Sequence, residues 1–151
     1  AFMNIERYRF ISKDNHQAFA FNSYGPKGTI KKVVLFSQIN EWNENIYNLS
    51  FGDWDEIKQE IDDKVISNNG DTEKVLATVA ATVLEFSRHF PKTFIYVKGS
   101  TESRTRLYQI GISNYLREIN EFFDIYGFRN ADLEKFKTGR NYEAFFIRLN
   151  K

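Results

Sequence analysis

The segment Lys98-Gly99-Ser100-Thr101-Glu102-Ser103-Arg104-Thr105-Arg106 gathers more chemistry than any other stretch of the chain. A strand that breaks at glycine into a helix leaves the first helical N–H groups unpaired, and such a terminus can hold an anion. Ser100, Thr101 and Ser103 add hydroxyl donors there, while Lys98, Arg104 and Arg106 add positive charge. Gly99 would let a ligand approach the main chain closely. Arg104 and Tyr108, at i and i+4, share one helix face and are placed to line a pocket together. This set suits capture of a small phosphate, a carboxylate or an acyl carrier. It is not a P-loop, because the Gly-x4-Gly-Lys pattern is missing. In purely structural terms, Ser100 caps the helix and Glu102 occupies its first turn. The arginines then pair with nearby acids, for ~0–1 kcal/mol each if exposed.

Asp53, Asp55 and Glu56 around Trp54 form a second cluster, of the kind that holds a divalent cation or works as acid and base. They lack EF-hand spacing, and a solvated acidic turn with Trp54 plugging the core edge accounts for them equally well. His16 and His89 are the two histidines. His89 falls in the last turn of a helix, where a cation opposes the dipole favourably, and His16 falls in an exposed turn. Read as isolated, they do not make a zinc site, and no metal is expected. The chain has no cysteine, which excludes disulfides, thiol nucleophiles and cysteine-ligated metals. No G-x-S-x-G elbow occurs.

Periodicity supplies the framework that would hold these residues. Residues 8–12, 18–21 and 47–51 alternate as strands of an antiparallel meander, joined by a longer strand over 29–39, with a breaker at Tyr24-Gly25-Pro26-Lys27-Gly28. The apolar centre Val33-Val34-Leu35-Phe36 predicts a strand covered on both faces. After Gly52 the chain leaves the sheet, with a short helical turn at Ile57 and Ile61 and a brief strand at Val65-Ile66-Ser67. Val75, Val79, Val83, Phe86 and Phe90 recur at helical spacing behind an N-cap at Asp71 or Thr72, and Pro91 stops that helix. Residues 93–97 form a strand. A second long helix starts at a Ser100 N-cap, buries Leu107, Ile110, Leu116, Ile119 and Phe123, and ends at Tyr126-Gly127. Residues 142–147 supply the last strand. The fold class is α+β: a mostly antiparallel sheet, led by an N-terminal meander, with two long helices packed on it.

Length and composition agree. The 151 residues suit a single domain, here 3–151, with Ala1 and Phe2 read as additions before a start at Met3. At that length roughly 70% of the unfolded chain's surface is buried. A hydrophobic fraction of 42% with 15 phenylalanines excludes a disordered chain. Phe19, Phe21, Phe36, Phe51, Phe145 and Phe146 fall at core spacing, which assigns them to packing and away from base stacking. Lys plus Arg, 21, nearly cancels Asp plus Glu, 20, so charge offers no argument for nucleic acid. No apolar run is long enough to span a bilayer and no signal segment leads the chain, so a cytoplasmic protein is expected. Its expected partner is a small anionic molecule or another protein.

Two resemblances add to this. Phe51-Gly52-Asp53-Trp54-Asp55, the run from Ile66 to Val75, Gly99-Ser100-Thr101 with Arg104-Thr105-Arg106-Leu107-Tyr108, and Asn141-Tyr142-Glu143-Ala144-Phe145 together resemble an uncharacterised bacterial domain family found chiefly in Bacteroidetes. That likeness spans nearly the whole chain and implies no activity. The order meander, helix, strand, helix, closing strands is also similar to the GNAT acyltransferases, with Leu107-Tyr108 matching that family's Leu-Tyr pair. This implies an acyl-CoA-dependent transferase using acetyl-CoA, with Tyr108 as general acid. The pyrophosphate loop of that family, Gln/Arg-x-x-Gly-x-Gly/Ala, is poorly matched by Ser67-Asn68-Asn69-Gly70-Asp71-Thr72. The joint between the first two strands is also too short for the family's early helices. A third expectation is an enzyme or toxin acting on RNA through Arg104, Arg106 and His89, provided that His89 approaches the start of the second helix.

Overall fold

Alternation of large apolar and small or polar residues builds the first half as strands. The computed structural model describes residues 5–42, 45–63 and 68–150. β1 (Ile11–Lys13), β2 (Ala18–Gly25), β3 (Gly28–Gln38) and β4 (Ile46–Asp55) pair in order as the antiparallel meander. The β2–β3 hairpin turns on Pro26 and Lys27, and Gly28 takes the left-handed φ of 88° that closes it. Phe19, Phe21, Val34, Phe36, Leu49 and Phe51 lie buried on one face. Val33 and Leu35 on the other face are only half-buried, so the centre of β3 is covered on one side and not on both.

β4 runs further than its alternation suggests. It continues through Gly52 to Asp55 and folds back as the hairpin strand β5 (Glu60–Asp62), where a helical turn was expected. Ile57 at the tip is 95% exposed, so the Ile57/Ile61 spacing marks no buried face. The brief strand at 65–67 and the start at Met3 lie outside the described residues.

α1 (Thr72–His89) buries Val75, Val79, Val83 and Phe86 on the sheet, and Phe86 stacks on Phe36 at 4.2 Å between ring centroids. It leads into β6 (Phe94–Val97), then α2 (Glu102–Asn114) and the short α3 (Leu116–Asn120). The single long second helix is therefore two, parted at Tyr115. The chain then returns to the sheet: residues 123–129 alternate buried and half-buried as β7 (Phe123–Arg129), with Tyr126-Gly127 in mid-strand. Aromatic and β-branched residues at period 2 override the helical spacing of Phe123. β8 (Asp132–Lys135) hairpins onto β7, and β9 (Ala144–Leu149) inserts between β6 and β7. The resulting nine-stranded sheet runs β1-β2-β3-β4-β6-β9-β7-β8, with β5 attached to β4. α1 and α2 pack against it, an α+β fold. Among the described residues no helix is long and apolar enough to cross a membrane.

Candidate functional site

β4 and β6 are the parallel neighbours in this sheet, paired only over Ile46–Asn48 and Phe94–Tyr96. Beyond those pairs β4 stays with β3 while β6 gives way to the loop before α2, so the two diverge. The gap is a cavity of about 240 Å³ lined by Asn48, Ser50 and Phe51 of β4, by Asp63, and by Tyr96, Lys98, Gly99, Ser100, Arg104 and Tyr108. Two basic residues and one acidic residue thus contribute to its wall.

Arg104 is buried at 6% exposure, and its Nη2 donates to the Phe51 carbonyl oxygen at 2.8 Å. The guanidinium lies 5.6 Å from the centroid of the Phe51 ring and 3.5 Å from the Tyr108 hydroxyl, the i, i+4 neighbour anticipated for it. Lys98 is exposed at the cavity mouth. Ser100 does not cap α2; its hydroxyl donates to the Asp63 carbonyl. The N-cap is Thr101, whose Oγ1 accepts the Arg104 N–H at 3.2 Å. The Gly99 N–H is also engaged, donating to Thr105 Oγ1 at 2.9 Å. Ser103 and Thr101 are exposed and lie outside the residues that wall the cavity. Arg106 is exposed too, and reaches Asn141 Oδ1 at 3.3 Å.

Tyr108 also walls two further cavities. A narrow crevice of about 50 Å³ lies beside Arg104 and includes Lys32, Asp53 and Asp71. The larger, of about 440 Å³, opens between α1, α2 and the sheet, and its lining is dominated by aliphatic side chains such as Leu49, Leu76, Val79, Val83, Leu107 and Ile112. Leu49 and Tyr108 belong to the walls of both the polar and the apolar cavity.

A buried polar knot sits where β2 meets the start of α1. The Asp71 Oδ2 accepts from the Tyr8 hydroxyl at 2.6 Å and from the Ser23 hydroxyl at 2.5 Å. Asn69 donates to Ser23 Oγ and to the Gly28 carbonyl, and accepts the Lys27 N–H at 2.7 Å. Asp71 holds the N-cap position yet makes no side-chain cap bond, because its carboxylate serves these two hydroxyls. Spacing alone could not show that diversion, since Tyr8, Ser23 and Asp71 are far apart in sequence.

Burial, then the bond to Asp71, raises the Tyr8 phenol above its ordinary value of 10.0. Burial, then the bond to Glu134, raises Tyr142 in the same way. A raised phenol favours the fold fully below pH 10, and that contribution is lost as pH climbs through the folded value. We expect native protein to release these phenolic protons later than protein in denaturant, with the phenols' contribution to stability lost on the alkaline side. Phenolate absorbance against pH in both states checks this; superimposable curves would refute it.

The carboxylate cluster disperses. Asp53 pairs with buried Lys32 at 2.5 Å, and Asp55 Oδ1 accepts the Ile57 and Lys58 N–H groups of the hairpin turn. Trp54 is half-buried beneath the Lys31 ammonium. His89 closes α1 at the end opposite Thr72, a residue that shares the Arg104 crevice. Seventeen residues of rise separate those ends by about 25 Å, so His89 does not join Arg104 and Arg106. His89 instead meets His16, which is half-buried and not exposed as its turn suggested.

Fold and site define an α+β domain whose sheet parts to form a polar cleft against an apolar cavity. A family of unknown function, DUF6934, matches residues 4–150, and the chain belongs to it. No curated protein and no solved structure matches the chain.

Proposed function

We propose that the protein binds a small anionic molecule with an apolar body, its charged head in the cleft between β4 and β6. Lys98, Ser100, Arg104 and Tyr108 are the head-group residues in this proposal; Gly99 drops out because its N–H is held by Thr105, and Thr101, Ser103 and Arg106 because they stand away from the cleft walls. The observation that carries it is the common wall. Arg104 and Tyr108 border the polar cavity, and Tyr108 and Leu49 border the apolar one as well. A carboxylate or phosphate would exchange hydration for charge-assisted bonds, and its chain would remove apolar lining from water.

Calorimetric titration with a graded series of straight-chain carboxylates tests this. Affinity is expected to rise about fourfold for each methylene until the cavity is filled, from roughly 0.8 kcal/mol per buried CH₂. Arg104→Gln is expected to weaken binding at least about tenfold, the cost of a charge-assisted hydrogen bond. Arg106→Gln should leave it unchanged. Absence of saturable binding across the series, or equal binding by both variants, would overturn the proposal.

A second reading, an acyl-CoA-dependent transferase with Tyr108 as general acid, is favoured by the element order and by the position of Tyr108 on the cleft. Against it, Asp71 puts a carboxylate beside the loop where cofactor phosphates would lie. Acetyl-CoA in the same titration separates the two, since failure to bind at millimolar levels removes the transferase.

A further inference from the structure

We propose that His16, Glu85 and His89 form a binding site for a zinc-like divalent transition-metal ion, one that would clamp the β1–β2 turn to the C-terminal end of α1. His16 comes from the β1–β2 turn and Glu85 and His89 from the last turns of α1, and each offers one ligand atom within 4.8 Å of the others. His16 Nδ1 lies 3.6 Å from Glu85 Oε2, and His89 Nδ1 lies 3.5 Å from the same oxygen. A tetrahedral ion with bonds of about 2.0–2.2 Å holds its donors about 3.3–3.6 Å apart, so both observed separations already suit one.

The backbone prepares this meeting. Asp14, Asn15 and His16 have φ of 52°, 57° and 64°, three left-handed residues in succession, and none is glycine. That turn carries the His16 ring onto His89, with centroids 3.5 Å apart and planes inclined by 13°. Glu85 and His89 stand at i and i+4 on the last turns of α1, the spacing that puts two ligands on one helix face. The imidazoles are nearly parallel, so loading an ion opens them and replaces two present bonds. These are the bond between Ser12 Oγ and His16 Nδ1 and the bond that His89 Nδ1–H donates to the Glu85 carbonyl, each at 3.0 Å. The side chains are 34–43% exposed, which leaves an approach and a fourth position for water. Two imidazoles and one carboxylate favour zinc and its late first-row neighbours over calcium or magnesium, which take oxygen ligands.

Titration of tag-free, chelator-stripped protein with Zn²⁺ tests the site, read by calorimetry, thermal melting and histidine ring NMR. The expected result is one-to-one saturable binding, a raised melting temperature reversed by chelator, and shifts in both rings; Mg²⁺ should do none of this. The chain holds only these two histidines and no cysteine, so few other sites compete. His16→Ala and His89→Ala should each weaken binding more than tenfold, since even loss of an outer-shell partner costs about 10–100-fold. Glu85→Gln keeps the side-chain shape and should also weaken it, which guards against a folding defect in the alanine variants. No saturable Zn²⁺ binding, or binding retained in the His16→Ala/His89→Ala double variant, would overturn the proposal and leave only a histidine stack beside a carboxylate.

Discussion

Gly99→Ala is expected to destabilise the domain by about 3 kcal/mol, at the upper end of the cost of overpacking a filled site. For a chain of this length, that lowers the melting temperature by about 6–12 °C. A methyl group at Gly99 would fall on the Thr105 main-chain nitrogen, 2.6 Å from Arg104 Cβ and 2.7 Å from the Arg104 carbonyl carbon. These are parts of the first turn of α2 and cannot swing aside as a flexible side-chain end would. The Gly99 N–H also donates to Thr105 Oγ1 inside the fold, a bond the methyl would disturb. Thr105→Val isolates that bond by leaving a buried N–H without an acceptor, and should cost about 1–3 kcal/mol. Chemical denaturation of both variants provides the check. The expected pattern distinguishes two roles for this glycine. If it existed to admit a ligand, Gly99→Ala would keep parental stability and lose only binding. What the residue admits in this fold is the chain's own helix.

The same junction shows how far the residues alone could be read. α1 was legible because Val75, Val79, Val83 and Phe86 repeat at 3.6 over an uninterrupted stretch closed by Pro91. The meander was legible because period-2 alternation survives in β2 and β4. The Arg104–Tyr108 pairing was also legible, being fixed by helix geometry. The depth of Arg104 was not, because it depends on the Phe51 carbonyl, 53 residues away. β7 was missed because Phe123 also continued the helical stripe of Leu116 and Ile119, and Tyr126-Gly127 read as a helix stop. Only the pairing with β9, at Ile125 with Ile147 and Gly127 with Phe145, settles the period. The histidines misled for a related reason. They are 73 positions apart, and their contact is made by a left-handed turn that no spacing rule announces.

Asp71→Ala is expected to be similarly damaging, at about 3 kcal/mol, because a single carboxylate oxygen serves two enclosed hydroxyls. Ser23 is 0% exposed and Tyr8 is 8% exposed. Hydrogen bonds to charged groups contribute about 1.5–3 kcal/mol each, and a buried donor left without an acceptor bears its full desolvation cost. Asp71→Asn should cost less, about 1–2 kcal/mol, because the amide keeps one oxygen to accept while placing a donor where a second acceptor stood. Tyr8→Phe removes one of the two donors, so its effect should not add to that of Asp71→Ala. A double-mutant cycle between them should return a coupling of about 1–3 kcal/mol, whereas independent sites would return nearly zero. The consequence reaches beyond stability. Through Tyr8, Ser23 and Asp71 the knot ties the N-terminal segment and β2 to the first turn of α1, and Thr72 and Leu76 on that helix wall both the crevice beside Arg104 and the apolar cavity. Loosening the knot should therefore weaken ligand binding even though Tyr8 and Ser23 line neither cavity. If Asp71→Ala left melting temperature and carboxylate affinity at parental values, the knot would have no part in holding the cleft.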